Sequence, residues 1–136
     1  MRIPNRNKLI GAGVALAAIA GPAAALAAEP TVNWQINLKP GAAYPHATGG
    51  AQYQSQPGQR ELQVEVEHIP ALKGKKVTVC VNNQALGSAT VSKLGVAQVS
   101  RNTELHQTVP VVVQGSTASV STGASCTGTL VAQGAF

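Results

Sequence analysis

Three glutamates near the middle of the chain have the residue type and spacing for acid–base chemistry. Glu61, Glu65 and Glu67 alternate with apolar residues in a period of two, which places them on one face of a predicted strand, where residues two apart lie roughly 6 to 7 Å from each other. A carboxylate pair at that separation could hydrolyse a glycosidic bond. A glycosidase also needs a cleft, and Lys75 and Lys76 on the following predicted strand offer cross-strand partners. We therefore interpret the row as the solvated face of an amphipathic strand, with a small glutamate-based hydrolase as an alternative.

A metal site is the second chemistry that the residue types allow. The histidines His46, His68 and His106 lack the i, i+2 or i, i+4 spacing that places two ligands on one face of an element, so only the tertiary fold could bring them together. Zinc and copper need such convergence of ligands. We state as a hypothesis a site built from His68, His106 and Glu67, which would make the chain an extracytoplasmic metal-binding protein.

Missing residue types exclude several other chemistries. The sequence contains no aspartate, which excludes calcium loops built on spaced aspartates and a Ser-His-Asp relay. Met1 is the only methionine, so a copper site with an axial methionine has no such ligand in the rest of the chain. No Gly-x-Ser-x-Gly motif and no phosphate-binding glycine loop occur after residue 27. We predict a non-enzymatic protein without a cofactor.

The first 27 residues have the features of a secretory signal peptide. A basic start precedes an apolar stretch over residues 9–20 and a small-x-small cleavage site, Ala25-Leu26-Ala27. The apolar stretch is too short for a membrane-spanning helix. We predict that residues 1–27 are removed, that the mature protein is secreted or periplasmic, and that no transmembrane segment remains. The alanine-rich signal suggests a bacterium.

The charge of the mature chain argues against a nucleic-acid partner. Of the ten basic residues, three lie in the predicted signal peptide, and the remaining seven against five glutamates give a net charge of +2. Lys73, Lys75 and Lys76 form the only local basic cluster of the mature chain, and it lacks the aromatic platforms of nucleic-acid surfaces. We interpret this cluster as a solvated turn that leads into a strand.

The sequence contains two cysteines, Cys80 and Cys126. Export would place them in a compartment where thiols pair, so we predict one disulfide between them. An intermolecular disulfide and two separate thiols are the alternatives. Neither cysteine belongs to a Cys-x-x-Cys pair, so redox catalysis and zinc ribbons have no support.

The elements that must position these residues are predicted to be strands. After residue 59, apolar and polar residues alternate in about seven short segments separated by turn residues, without helical periodicity. Residues 28–59 are rich in proline and glycine, so we predict an irregular segment there, with a short strand over residues 34–38 and room for an edge strand over residues 51–54. We predict a single all-β domain, a small antiparallel β-sandwich over residues 60–136.

Most of the aromatic residues lie in the predicted irregular segment. Trp34, Tyr44 and Tyr53 could form an exposed cluster that stacks on sugar rings or on a protein partner, and we name them as the candidate binding surface. The alternative, which composition favours, is that Trp34 plugs one end of the domain, because proteins poor in aromatic residues bury those they have.

A recurring order of strands and turns fills the second half of the chain. It consists of Val81-Asn-Asn-Gln-Ala-Leu-Gly87, Ala89-Thr-Val-Ser-Lys-Leu-Gly95, Val109-Pro110 and Gly115-Ser116. In this order residues 60–136 resemble small secreted bacterial domains of immunoglobulin-like or transthyretin-like build. The resemblance implies an immunoglobulin-like sandwich and carries no function. Unlike in antibody domains, no tryptophan lies between the cysteines.

The residues together predict an exported, non-enzymatic binding or structural module. Its predicted partner is an extracytoplasmic protein or glycan. Binding is preferred because the catalytic residue sets are missing rather than because a ligand can be recognised. The metal-binding protein and the small hydrolase are the alternatives.

Overall fold

The computed structural model describes residues 31–136, which form eight strands and two single-turn 3-10 helices. The predicted signal peptide, residues 1–27, lies outside the described residues. Within residues 31–136, no helix has the length and apolar character needed to cross a membrane. The strands are β1 (Val32–Pro40), β2 (Thr48–Gln56), β3 (Gln59–Glu67), β4 (Lys76–Val81), β5 (Gln84–Thr90), β6 (Ala97–Asn102), β7 (Thr117–Thr122) and β8 (Leu130–Ala135), and the helices span Pro70–Leu72 and Thr103–Leu105.

The eight strands form one antiparallel sheet in the order β5-β4-β7-β8-β1-β2-β3-β6. β1 joins the two halves of this sheet, because Val32–Leu38 pair with β2 while Lys39 and Pro40 pair with β8. The sheet is nearly barrel-shaped, with β5 and β6 facing each other across a seam. There Gly87 of β5 lies so close to the guanidinium of Arg101 that any larger residue would push that side chain away. The predicted all-β antiparallel fold is confirmed, whereas this single continuous sheet does not confirm an immunoglobulin-like sandwich.

The segment before residue 60 differs from the prediction of an irregular chain. β1 and β2 are each nine residues long, and they pair with each other in a continuous register. In β1 the even-numbered residues from Val32 to Leu38 are the less exposed ones, as expected for a strand with one inner face. Gly49 lies inside β2 because a Cβ there would collide with the backbone carbonyl of Glu65. Glycine here reflects the close approach of two strands rather than a turn.

The core lies between the inner faces of the curled sheet. In β3 the predicted alternation is present, and Leu62, Val64 and Val66 are at most 1% exposed. Val77, Val79 and Val81 of β4 are buried in the same way. Burial of one such side chain stabilises the fold by roughly 1.5 to 3 kcal/mol, so the two strands together contribute a large part of the hydrophobic stabilisation.

The predicted disulfide is confirmed, and it explains why β4 is buried on both faces. Cys80 lies on the opposite face of β4 from the valines, is fully buried, and is bonded to Cys126 with a Cα–Cα distance of 6.0 Å. Cys126 belongs to residues 123–129, which connect β7 to β8 and fold over the outer face of β4. Thr78 Oγ1 also donates a hydrogen bond of 2.7 Å to the carbonyl of Gly123. In the chain-entropy model this cross-link stabilises the fold by about 4 kcal/mol.

The antiparallel order divides the connections between two ends of the sheet. Residues 41–47, 68–75, 91–96 and 123–129 lie at one end, which we call the lysine end because all five lysines of residues 31–136 lie in or beside its connections. Residues 57–58, 82–83 and 103–116 lie at the other end. We call this the aromatic end because Trp34, Tyr53 and Phe136 meet there.

Candidate functional site

Three aromatic rings meet at the aromatic end. Trp34 of β1 and Tyr53 of β2 are direct cross-strand partners, and their ring centroids lie 6.1 Å apart. Phe136, which follows β8, lies 6.3 Å from Trp34 and 6.4 Å from Tyr53 between ring centroids. Tilted and edge-on contacts at these distances are the favoured geometries of aromatic pairs. The rings therefore hold one another in place, with Tyr53 buried and Trp34 partly exposed.

A long connection crosses this end between β6 and β7. Hydrogen bonds hold it in place, because Arg60 Nε donates to the carbonyl of Val109 at 3.0 Å and the backbone N–H of Val113 donates to Ser116 Oγ at 3.0 Å. Its valines alternate in burial, since Val109 and Val112 are 1% and 3% exposed, whereas Val111 and Val113 are 56% and 58% exposed. The connection thus closes one end of the core and also presents two apolar side chains to solvent.

An open cleft of about 440 Å³ lies between this connection, the start of β1 and the end of β2. We call it the apolar cleft; its lining consists of Val32, Trp34, Tyr53, Ser55, Val111, Val112 and Val113. Besides the polar groups on the rings of Trp34 and Tyr53, Ser55 is the polar exception, and it is buried. A cleft of this size is within the range of ligand pockets, roughly 300 to 1,000 Å³, and such pockets are lined mostly by apolar and aromatic side chains.

Two of the three aromatic residues predicted for binding are brought together here. Trp34 and Tyr53 both line the apolar cleft, whereas Tyr44 lies in the turn over residues 41–47 at the lysine end, where its N–H donates to the carbonyl of Gly41 at 3.1 Å. Sequence reasoning missed Phe136 and the exposed valines of the crossing connection. The apolar run after Pro110 could have indicated the exposed valines. A proline cannot donate a hydrogen bond to a neighbouring strand, so an apolar run that contains one is not expected inside a sheet.

The hypothetical metal cluster is not formed. Glu67 ends β3 and His68 follows it, with its Nδ1 2.8 Å from Thr48 Oγ1. His106 follows β6, which runs antiparallel to β3 and pairs Asn102 with Glu61. The rise per residue along a strand therefore places His106 at least about 20 Å from His68. Among residues 31–136, no three histidine, cysteine or acidic side chains lie close enough to hold a metal ion.

The glutamate row lies on the outer face of β3, but the predicted lysine partners are elsewhere. β3 pairs with β2 and β6, whereas Lys76 starts β4 in the other half of the sheet. Glu61 is 9% exposed and accepts a hydrogen bond of 3.2 Å from Asn102 Nδ2. Glu65 borders a shallow depression of about 130 Å³ whose other lining residues are Gln35, Gly50, Ala51, Gln52 and Gln63. The row is therefore part of a polar, amide-rich face.

The apolar cleft and the outer polar face differ in what they can hold. The described residues that line the apolar cleft offer burial and ring contacts but no carboxylate, imidazole or amine. The outer polar face offers hydrogen-bonding groups without an aromatic ring in the depression. No protein-family model matches this chain, and no curated protein is significantly similar to it.

Proposed function

We propose that this chain is an exported, non-enzymatic binding module that takes an apolar segment of an extracytoplasmic polypeptide into the apolar cleft. The observation that carries the proposal is the exposure of Val111 and Val113 beside the partly exposed indole of Trp34. Apolar side chains that stand together on a rigid frame, with solvent on one side only, mark interaction sites more often than single exposed residues do.

The chemistry of the lining favours a polypeptide over a glycan. Sugar rings carry hydroxyl groups, and a site for them needs several directed donors and acceptors. Apart from the hydroxyl of Tyr53 and the indole N–H of Trp34, the apolar cleft has one polar side chain, Ser55, which is buried. An apolar side chain from a partner needs no such groups and gains free energy in proportion to the area that it buries.

Export and the finer fold belong to the same proposal. Export is supported by the composition of residues 1–27 and by the Cys80–Cys126 disulfide, because disulfides persist in oxidising compartments. A sandwich of immunoglobulin-like type is supported by the two halves, β1-β2-β3-β6 and β5-β4-β7-β8, which only Lys39 and Pro40 join in the sheet.

The intrinsic fluorescence of Trp34 tests the proposed binding, because it is the only tryptophan of the chain. We would titrate the protein with the peptide acetyl-Leu-Val-Leu-amide and, as a polar match, with acetyl-Ser-Thr-Ser-amide. Neither peptide absorbs or emits where tryptophan does. We expect a saturable blue shift of the Trp34 emission with the apolar peptide only, since the indole loses contact with water when the cleft is occupied.

Two variants make this test specific to the cleft. The double variant Val111→Ser, Val113→Ser removes the exposed apolar wall, and we expect its apparent affinity to fall by at least tenfold. Leu94→Ser removes an apolar side chain that is more exposed than either valine and lies at the lysine end, and we expect its affinity to be unchanged. Equal shifts with both peptides, or an unchanged affinity of the double variant, would contradict the proposal.

A further inference from the structure

Two turns at the lysine end carry four exposed basic side chains and one exposed leucine. Lys73, Lys75 and Lys76 lie in or beside the connection from β3 to β4, and Lys93 lies in the connection from β5 to β6. All four lysines are exposed, and Leu94 is 84% exposed, the highest value among the large apolar side chains within residues 31–136. We call these five residues the lysine tip.

Backbone hydrogen bonds lock the two turns together. The N–H of Ile69 donates to the carbonyl of Gly95 at 3.1 Å, and the N–H of Gly74 donates to the carbonyl of Val91 at 2.8 Å. The N–H of Val91 in turn donates to the carbonyl of Lys75 at 2.9 Å. Lysines that are apart in the sequence are therefore carried on two turns that are joined to each other, which is why the sequence alone indicated only part of the cluster.

The same geometry keeps Leu94 at the surface. It is the third residue of a turn that the N–H of Gly95 closes on the carbonyl of Ser92 at 3.0 Å, and the N–H of Val96 donates to Ser92 Oγ at 3.2 Å. Gly95 has a φ of +77° and lies against the backbone at Pro70. With both flanks fixed, the leucine side chain is held in solvent on the same pair of turns that carries the lysines.

The charge around the tip is almost entirely positive. Between His68 and Thr103 the sequence contains no acidic residue. The nearest chain neighbours that carry or can carry charge are Glu67, at the end of β3, and His68, whose ring is hydrogen-bonded to Thr48. The tip is therefore complementary to a negatively charged surface.

We propose that the lysine tip docks this protein onto an anionic lipid surface. The lysines would lie at the level of the headgroups, where each contributes to attraction, while Leu94 enters the boundary of the acyl chains, as in interfacial anchors that combine basic and apolar residues. A dissolved polyanion would engage the lysines but would make no use of the leucine. A nucleic acid would also need aromatic platforms for its bases, and none of the five residues of the tip is aromatic.

Co-sedimentation of the purified chain with lipid vesicles tests this proposal. We would compare vesicles of phosphatidylcholine alone with vesicles of equal parts phosphatidylcholine and phosphatidylglycerol. We expect binding to the anionic vesicles that weakens about fivefold for each single lysine-to-glutamine change at positions 73, 75, 76 and 93. Because residues 1–27 contain basic and apolar residues of their own, the difference between wild type and variant in the same form of the chain is the deciding quantity.

Two further variants make the test specific. One distinguishes the lysines of the tip from a lysine elsewhere, and the other distinguishes binding to a lipid surface from binding to a dissolved polyanion. Lys39→Gln removes the fifth lysine of residues 31–136. It lies in β1, two strands from β3 and three from β4 in the sheet and thus roughly 10 to 14 Å from the strands that carry the tip, beyond the Debye length of about 8 Å at physiological salt, and we expect less than a twofold effect. Leu94→Ser keeps every charge, and we expect binding to weaken about tenfold. Equal binding to both kinds of vesicle would overturn the proposal, and so would unchanged binding of Leu94→Ser together with equal competition by dextran sulfate.

Discussion

The aromatic end and the lysine end present exposed apolar side chains in different ways. At the aromatic end, Trp34 and Tyr53 line the surface cleft and also pack into the core. At the lysine end, Leu94 stands on a turn and takes no part in the core. The residues of the proposed binding surface and the residues that stabilise the core are thus partly the same at one end and separate at the other, which determines where the proposed binding can be altered without unfolding the protein.

The support of the two surfaces differs as well. The connection over residues 103–116 at the aromatic end is held by side chains, through Arg60 on Val109 and Ser116 on Val113, and by backbone hydrogen bonds of Gly115 and Ser116 with Phe136. The two turns of the lysine end are joined to each other by backbone hydrogen bonds at Ile69, Gly74 and Val91. We therefore expect side-chain substitutions to perturb the first surface more than the second.

The largest effect should come from Tyr53→Ala. This side chain is 1% exposed and contacts both Trp34 and Phe136, so its removal leaves a cavity in the core as well as in the cleft. We expect the free energy of unfolding to fall by about 3 to 4 kcal/mol, as for other large aromatic residues replaced by alanine. Urea denaturation followed by circular dichroism measures this change.

Leu94→Ala is the matched control for that change at the other end. Its side chain is almost fully exposed, and we expect the free energy of unfolding to stay within about 0.5 kcal/mol of wild type. A loss of more than 1 kcal/mol in Leu94→Ala would mean that the lysine end also combines binding with packing, and the distinction between the two ends would fail.

A pair of glycines tests the backbone support of the lysine end with a smaller effect. Gly74 and Gly95 both have a φ of +77°, but a Cβ at Gly74 meets nothing within 4 Å, whereas one at Gly95 would lie 2.6 Å from the backbone nitrogen of Pro70. Gly74→Ala should therefore lower the free energy of unfolding by about 1 kcal/mol, the strain of the left-handed conformation alone. Gly95→Ala should lower it by about 2 kcal/mol or more, because the locked turns must move apart.

The difference between the two alanine variants isolates the contact between the turns. Thermal unfolding of both variants under the same conditions measures it. If the two alanine variants were equally stable, the turns would not depend on their close approach, and the fixed arrangement of the lysines would lose its structural support.

The sequence predicted those features that depend on local pattern. The alternation in β3 and β4 follows from a period of two, and pairing of Cys80 with Cys126 follows from the expected compartment. β1 and β2 were predicted as mostly irregular because glycine and proline usually mark turns, whereas Gly49 serves close strand approach. A local pattern contains no information on such an approach.

Both surfaces depend on contacts between residues that are far apart in the sequence. Phe136 reaches Trp34 only because β8 pairs with β1, and that pairing involves two residues of β1. Lys93 joins the other lysines through the hydrogen bond from Ile69 to Gly95. Sequence analysis therefore grouped Trp34 with Tyr53, whose rings meet in the structure, but it also grouped Tyr44 with them, and it did not connect Lys93 to the exposed turn that precedes β4.

The smallest expected change in the free energy of unfolding tests whether the aromatic end has surface residues that do not stabilise the fold. Val111→Ser and Val113→Ser change side chains that are more than half exposed, and each should alter the free energy of unfolding by no more than about 0.5 kcal/mol. Val112→Ser, between them, changes a side chain that is 3% exposed and should lower the free energy of unfolding by about 2 kcal/mol. Urea midpoints of the three variants measure the contrast.

If all three variants lost stability equally, Val111 and Val113 would be needed to close the core, and their exposure would no longer indicate a binding surface. If only Val112→Ser lost stability, the outer valines would stabilise nothing in the unbound protein, and contact with a partner would be the physical use left for two apolar side chains kept in water.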